Sequence, residues 1–454
     1  MTATLTGTPP AAPAARRAQG APRRGTRGIA RRRGLSTPDT LRTLLTSLVL
    51  LSLAWGAFGG WVATVHSSAA QSLVSVDEPL SLDARQMYQA IADADATITA
   101  AYLASSQPPL ASLQRYSRDI ETAATDLSRL RSGGDSTAAG RALAALSGGL
   151  PVYTGDVAQA QAEYAMGFPL TGGSFFQVAS EQAHLVLLPA ANTVFVQENA
   201  ALSAESGDAT GWLTLIAALL LAVVTGIVLY RAQRWLTRRT NRTFSPGLVL
   251  ASVLLVISVA WLAAGFLTAR SDFGRGLGQG SVPAENLALA SIGVQQIRGD
   301  AVLNVISRSG NNAFADDFAK TSKMVGPGSA SWLGEAAAAQ QPGGPGAALV
   351  AQAEQEATSW YAANNRVYAL GDKAQYAAER TSVVAAAPAG TATGYDTLEG
   401  RIGAAINADQ GVFQDAASAG ASALSPLAGV VIACSLLMAV CCAWAVSRRL
   451  AEYR

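Results

Sequence analysis

Residues 44–65 read LLTSLVLLSLAWGAFGGWVATV, an uncharged apolar run of 22 residues. At 1.5 Å per residue such a run, once helical, crosses the roughly 30 Å hydrocarbon layer of a bilayer. Three more uncharged apolar runs follow, at 212–230, 247–269 and 427–446. Together they divide the chain into two copies of one pattern: a span, a long polar segment and a second span. The expected fold class is therefore all-α: an integral membrane protein with four transmembrane helices and two extracytoplasmic four-helix-bundle domains in tandem.

Charge orients the spans. Residues 1–43, 231–246 and 447–454 hold 17 basic side chains against 2 acidic ones, whereas the two long segments hold 16 basic and 29 acidic. Short cationic segments stay in the cytoplasm. The reading is thus a disordered basic cytoplasmic tail at 1–40, a span at 41–65, an extracytoplasmic bundle at 66–211, a span at 212–230 and a basic cytoplasmic linker at 231–246. The second copy has a span at 247–269, a bundle at 270–426, a span at 427–446 and a cytoplasmic tail at 447–454. The Arg31–Arg33 run loosely resembles a twin-arginine export signal. The apolar run behind it is longer than the roughly 7–15 residues of a signal h-region, so the first span is read as retained. Cleavage would leave three spans without moving the polar segments.

The polar segments are rich in alanine, the best helix former. In the first, Met87, Ile91, Ala94, Ile98 and Ala101 are spaced 4, 3, 4, 3, a heptad stripe. The pattern predicts helices ending at Pro108–Pro109, over about 110–131, over 137–166 with a break or kink at 148–151, and over 174–206 after a turn at 167–173. In the second segment it predicts a stripe through Leu287, Val294, Ile297, Ala301 and Val305, then helices at 311–324, briefly within 326–346, over 347–384 and over 395–423. Short-linked amphipathic helices of this kind pack as up-down bundles. An offset near 205 residues pairs Met87 with Ile292 and Asp95-Ala96 with Asp300-Ala301, which suggests an internal duplication.

Catalytic and cofactor motifs are absent. His66 and His184 are the only histidines, and Cys434, Cys441 and Cys442 all lie in the fourth span, so neither a metal set nor an exported disulfide is expected. Neither a Walker loop, a dinucleotide fingerprint nor GxSxG occurs. The spans lack charged residues and the broken helices of transporters. The expectation is no enzyme, no cofactor and no nucleic-acid partner; membrane lipid is the one implied by composition, and a homo-oligomer stays open.

Acids on the apolar seams are the candidate functional residues. Glu198 and Asp409 fall on the seam of the last helix of each polar segment, where a buried acid needs a partner or a raised pKa. They are candidates for signal transmission; a one-residue slip in register or pairing with Arg is the alternative. Asp95 and Asp300 are weaker candidates and, with Asp93, are read as a solvated face. Arg231, Arg234, Arg238, Arg239 and Arg242 in the central linker are candidates for contact with lipid or a cytoplasmic partner.

The layout resembles the actinobacterial GlnX family, and so do the LLPAA stretch at 187–191 and the paired Asp-Ala dipeptides. That resemblance implies an extracytoplasmic partner, the solute-binding lipoprotein GlnH, and a cytoplasmic one, the Ser/Thr kinase PknG. Amino-acid status outside would be relayed to nitrogen metabolism. Without the resemblance, sensor bundles with no output domain still point to a non-enzymatic signal relay. Two alternatives are a direct small-molecule sensor with chemoreceptor-like bundles and a structural envelope scaffold.

Overall fold

The computed structural model describes residues 37–105, 107–133, 137–209, 211–240, 246–307, 313–326, 328–384 and 391–451, and every regular element among them is helical. Most of the expected disordered tail, and Arg242, lie outside the described residues.

The first span belongs to α1 (Thr37–Ser72), which starts inside the expected tail. It continues through a π turn, Leu73–Asp77, into α2 (Glu78–Ala104). Arg42–Ala104 is thus one helical rod of 63 residues. At 1.5 Å per residue it is about 95 Å long, three times the hydrocarbon thickness, so most of it projects from the bilayer. Then come α3 (Leu110–Gly133), α4 (Thr137–Ala165), α5 (Pro169–Gln182), a π turn at Ala183–Leu187, and α6 (Leu188–Ala209). The second span lies in α7 (Trp212–Thr240) and the third in α8 (Pro246–Gly276). A third π turn, Leu277–Ser281, leads into α9 (Val282–Ser307). Next are α10 (Ala313–Val325), α11 (Trp332–Ala339), α12 (Ala347–Asp372), α13 (Tyr376–Val384) and α14 (Ala392–Leu424). The fourth span is in α15 (Leu427–Ala451). Four helices among the described residues are long and apolar enough to cross a membrane, as a multi-pass membrane protein requires.

Several boundaries differ from the sequence reading, each for a local reason. No break occurs at 148–151: α4 runs through Pro151. Gly149 is there for packing, since a Cβ on it would meet Leu187 Cδ2 at 2.7 Å. The turn at 167–173 shrinks to Gly167 and its neighbours, because Pro169 opens α5 at a position where a missing N–H costs nothing. Gly172 is helical and lets α5 lie against Tyr164. The helix expected over 347–384 is two helices, α12 and α13, separated by Ala374 at φ 54°. The linker is largely helical too: α7 reaches Thr240 and α8 starts at Pro246.

The three π turns share one cause. Each is followed by proline at the second position, namely Pro79, Pro189 and Pro283. Proline has no N–H to bond four residues back, and its ring crowds that carbonyl. The chain absorbs the conflict with one extra residue in the turn. The N–H of Glu78, Leu188 and Val282 then bonds five residues back, to Leu73, Ala183 and Leu277.

Inside the membrane-spanning layer α15 packs against α1 and α8. Small residues permit the close approach, as is usual between spans: Gly56 faces Ser435, Gly59 faces Val431, and Gly265 faces Leu427. Trp55 Nε1 donates to Ser258 Oγ at 3.0 Å, tying α1 to α8. Beyond the spans, Met87, Ile98, Leu130, Leu146, Tyr153, Phe176 and Val194 form one core from α2 to α6. Leu287, Val294, Ile297, Val350, Trp360, Tyr395 and Ile402 form a second, from α9 to α14. The two cores are joined, because α2 packs directly on α9. Ile292 of α9 belongs to the first core, and Leu103 shares a small cluster with Val302, Val305, Val367 and Val383.

Candidate functional site

The junction between the halves is where charge is buried. Every residue of α2 from 90 to 99 is buried, so this helix has no solvated face at that level. The small side chains of Ala90, Ala92, Ala94 and Ala96 allow it to be surrounded. Asp93 and Asp95 are two positions apart, hence about 200° around the helix, and they serve different neighbours.

Asp93 faces α3 and α14. Arg115 on α3 grips it through two bonds, Nε to Oδ2 at 2.7 Å and Nη2 to Oδ1 at 2.9 Å. Tyr395 of the other half donates its hydroxyl to the same Oδ1 at 2.9 Å. Arg298 on α9 lies 4.0 Å over the Tyr395 ring, and Asp396 sits between the two guanidinium groups, 3.6 Å from Arg115 and 3.9 Å from Arg298. Glu399, one turn on, accepts from Ser291 Oγ at 2.7 Å and Gln295 Nε2 at 3.3 Å. Burial pushes Glu399 up to about 7, against the hydrogen bond from Ser291. Burial and the charge of Asp93 push Asp119 up to about 8.

Asp95 faces the π turn between α5 and α6. Ser180 Oγ donates to its Oδ1 at 2.8 Å, and His184 Nε2 lies 3.4 Å from its Oδ2. His184 also abuts Gly299 of α9, whose Cβ, were there one, would lie 3.7 Å from Nε2. Burial opposes the imidazolium, but Asp95 and then Asp300 and Asp317 outweigh it and raise its pKa. Burial pushes Asp300 up to about 7, with the nearby His184 working the other way.

Asp93, Asp95 and Asp300 therefore do not form a solvated face. They are 8 %, 2 % and 3 % exposed, because the surface read as solvent is the contact between halves. The structure brings Asp95 and Asp300 together around His184 and keeps Glu198 and Asp409 apart from them. Glu198 is buried and raised by burial and by the charge of Asp77. Asp409 is 1 % exposed, accepts from Gln340 Nε2 at 2.7 Å and is pushed up to about 6 by burial. Asp409 is thus held by an amide rather than by the alternative arginine. Arg231, Arg234 and Arg238 are exposed on the final turns of α7, and Arg239 lies one residue before its end at Thr240.

One group escaped the sequence reading. Arg85, the sole basic residue of α2, points into a cavity between the halves, at the membrane-proximal level of the joints. Its single signal is its place two residues before Met87 on a helix with no other basic residue. Among the described residues no group of three or more His, Cys, Asp or Glu is placed to hold a metal ion.

Among the described residues every regular element is helical, four helices are apolar enough to span a membrane, and a charged seam lies between two helical lobes. Residues 69–207 match the family model described as an actinobacterial sensor domain, which supports a sensing role. No curated protein matches the chain.

Proposed function

We propose that the chain is a non-enzymatic transmembrane signal relay of the GlnX kind. Both helical lobes lie outside the cytoplasmic membrane, as tandem products of a duplication, and both termini lie inside. A solute-binding lipoprotein delivers nutrient status, amino acids above all, to the outer lobes, and a cytoplasmic partner such as a Ser/Thr kinase takes the output. The match at 69–207 supports the sensing part. The observation that carries the relay part is helix continuity. Arg42–Ala104 and Pro246–Val305 run from span to lobe without interruption, and α14 reaches the fourth span through a two-residue turn at Ser425 and Pro426. A shift of ~1–2 Å at the seam, the size of known interface switches, would pass along these rods into the bilayer. The π turns at 73–77 and 277–281, near the 205-residue offset of the two halves, are joints on two of the rods. Exposed arginines at the end of α7 offer the inner face a cationic contact.

The test is a deletion strain, complemented with the wild-type gene, assayed for its response to external amino acids while crosslinks from Trp235 and from the outer lobes are identified. Lost and restored response, with a lipoprotein captured outside and a kinase inside, supports the relay. A change of cell shape with a normal amino-acid response replaces it with an envelope scaffold.

A further inference from the structure

The cavity that holds Arg85 has a volume of about 40 Å³ and is walled by α2, α6, α14 and the joint leading into α9. Phe195 and Phe413 give it apolar sides; Glu78, Asn199 and Glu285 add polar ones. Gly280 lets the joint approach α14, because a Cβ there would come within 2.7 Å of the Phe413 amide nitrogen.

Arg85 is incompletely satisfied. The side-chain oxygen of Gln410 accepts from both of its terminal nitrogens. Its Nε is sealed from solvent and has no hydrogen-bond partner. Among the described residues no carboxylate lies within ion-pair distance of it. Glu78 lines the same cavity but is engaged with Gln414. Burial draws the guanidinium down to about 10, which leaves it charged at neutral pH. A buried cation facing only a neutral amide is costly, and a guanidinium matches a carboxylate in geometry and charge.

We propose that this cavity is a binding site for a small monocarboxylate, held by the guanidinium of Arg85. Size sets the upper limit. At roughly 10–15 Å³ per water, the space holds about three waters, the scale of acetate or glycine. The two glutamates on the walls disfavour dianions such as sulfate and leave room for an ammonium group on the ligand. Because the walls come from both halves and from one joint, occupancy draws α2, α9 and α14 together at the base of the rods. The site gives the sensor reading a direct ligand, and for its purpose it rests on that reading; its chemistry does not.

The experiment is calorimetry on the full-length protein in nanodiscs, with sodium acetate and glycine as probes and sodium chloride and sodium sulfate at matched ionic strength as controls. Saturable binding of acetate or glycine is expected, weakened at least tenfold in Arg85→Gln. Gln410→Glu supplies an internal carboxylate to Arg85 and should abolish binding while preserving the fold. Tighter binding of glycine than acetate would show that the wall carboxylates read an amino group. The site is overturned if wild type binds neither carboxylate, if sulfate or chloride binds equally well, or if both variants bind as wild type does. Binding in nanodiscs together with an unaltered response in cells carrying Arg85→Gln would leave the site intact and remove its role in the relay.

Discussion

Asp300 is a carboxylate placed where ionisation is penalised. Its neighbours are His184, Asp317 and Asp95, and burial is the largest influence on it. With a folded value of about 7 against an ordinary 3.8, the folded state holds a proton that the unfolded chain has released at intermediate pH. The stability this contributes is fully present below about pH 4 and is lost as pH rises through 7. His184 has the same sign: its raised folded pKa stabilises below the ordinary 6.5, and that contribution disappears as pH rises through the folded value. Glu399, pushed up to about 7, adds to the trend. The seam should therefore be firmer at pH 5.5 than at pH 8. Asp300→Asn, neutral at every pH, should flatten the slope and raise stability at pH 8 by on the order of 1–3 kcal/mol. Thermal unfolding in nanodiscs from pH 5 to 8.5 reads this directly, and a slope equal to that of wild type would remove Asp300 from the explanation.

At the scale of elements, the prolines after the π turns decide how the rods bend and slide. A helix-interior proline costs roughly 3 kcal/mol relative to alanine, and the extra residue of the π turn relieves part of that strain. Restoring the N–H in a Pro79→Ala/Pro283→Ala double variant should permit ordinary bonding and stiffen both joints. Hydrogen exchange at 73–81 and 277–285 should slow several-fold while thermal stability holds or rises; unchanged exchange would mean that packing alone dictates the turns. These joints were written in the chain as isolated prolines, yet a proline also signals a helix end, and only the packed rod distinguishes the two. The spans and stripes were legible because 3.6-residue periodicity is a local property. Ile91 and Ile98 announce one buried face of α2. Nothing local announces that Asp93, on its remaining surface, meets Tyr395 of the second lobe, 302 residues later in sequence. Arg85 was missed for the same reason, since its surroundings come from α6, α9 and α14.

For the whole molecule, the question is whether the halves act as one body. They are fastened at three levels. The spans interlock through Gly56 against Ser435, and the seam is bridged by Tyr395 on Asp93. At the far end Arg380 Nε donates to the Leu103 carbonyl at 3.0 Å beside the cluster of Leu103 with Val302 and Val383. The far contact is mostly aliphatic and tolerates sliding, whereas the seam is directional and does not. A signal that slides α2 along α9 must therefore break and remake the bonds to Asp93 while the far cluster shears. Tyr395→Phe removes one such bond without changing shape and should cost about 1 kcal/mol, lowering the force needed to switch. A cleavable crosslink between cysteines at Leu103 and Val383, with Cys434, Cys441 and Cys442 replaced by alanine, should do the opposite. Under the relay reading, the bridged protein reaches the membrane in normal amount, gives no response to external amino acids, and recovers when the bridge is cleaved. Tyr395→Phe should respond at a lower stimulus than wild type. If the bridged protein signals normally, the halves do not slide past one another, and transmission would have to pass through the joints of one half alone.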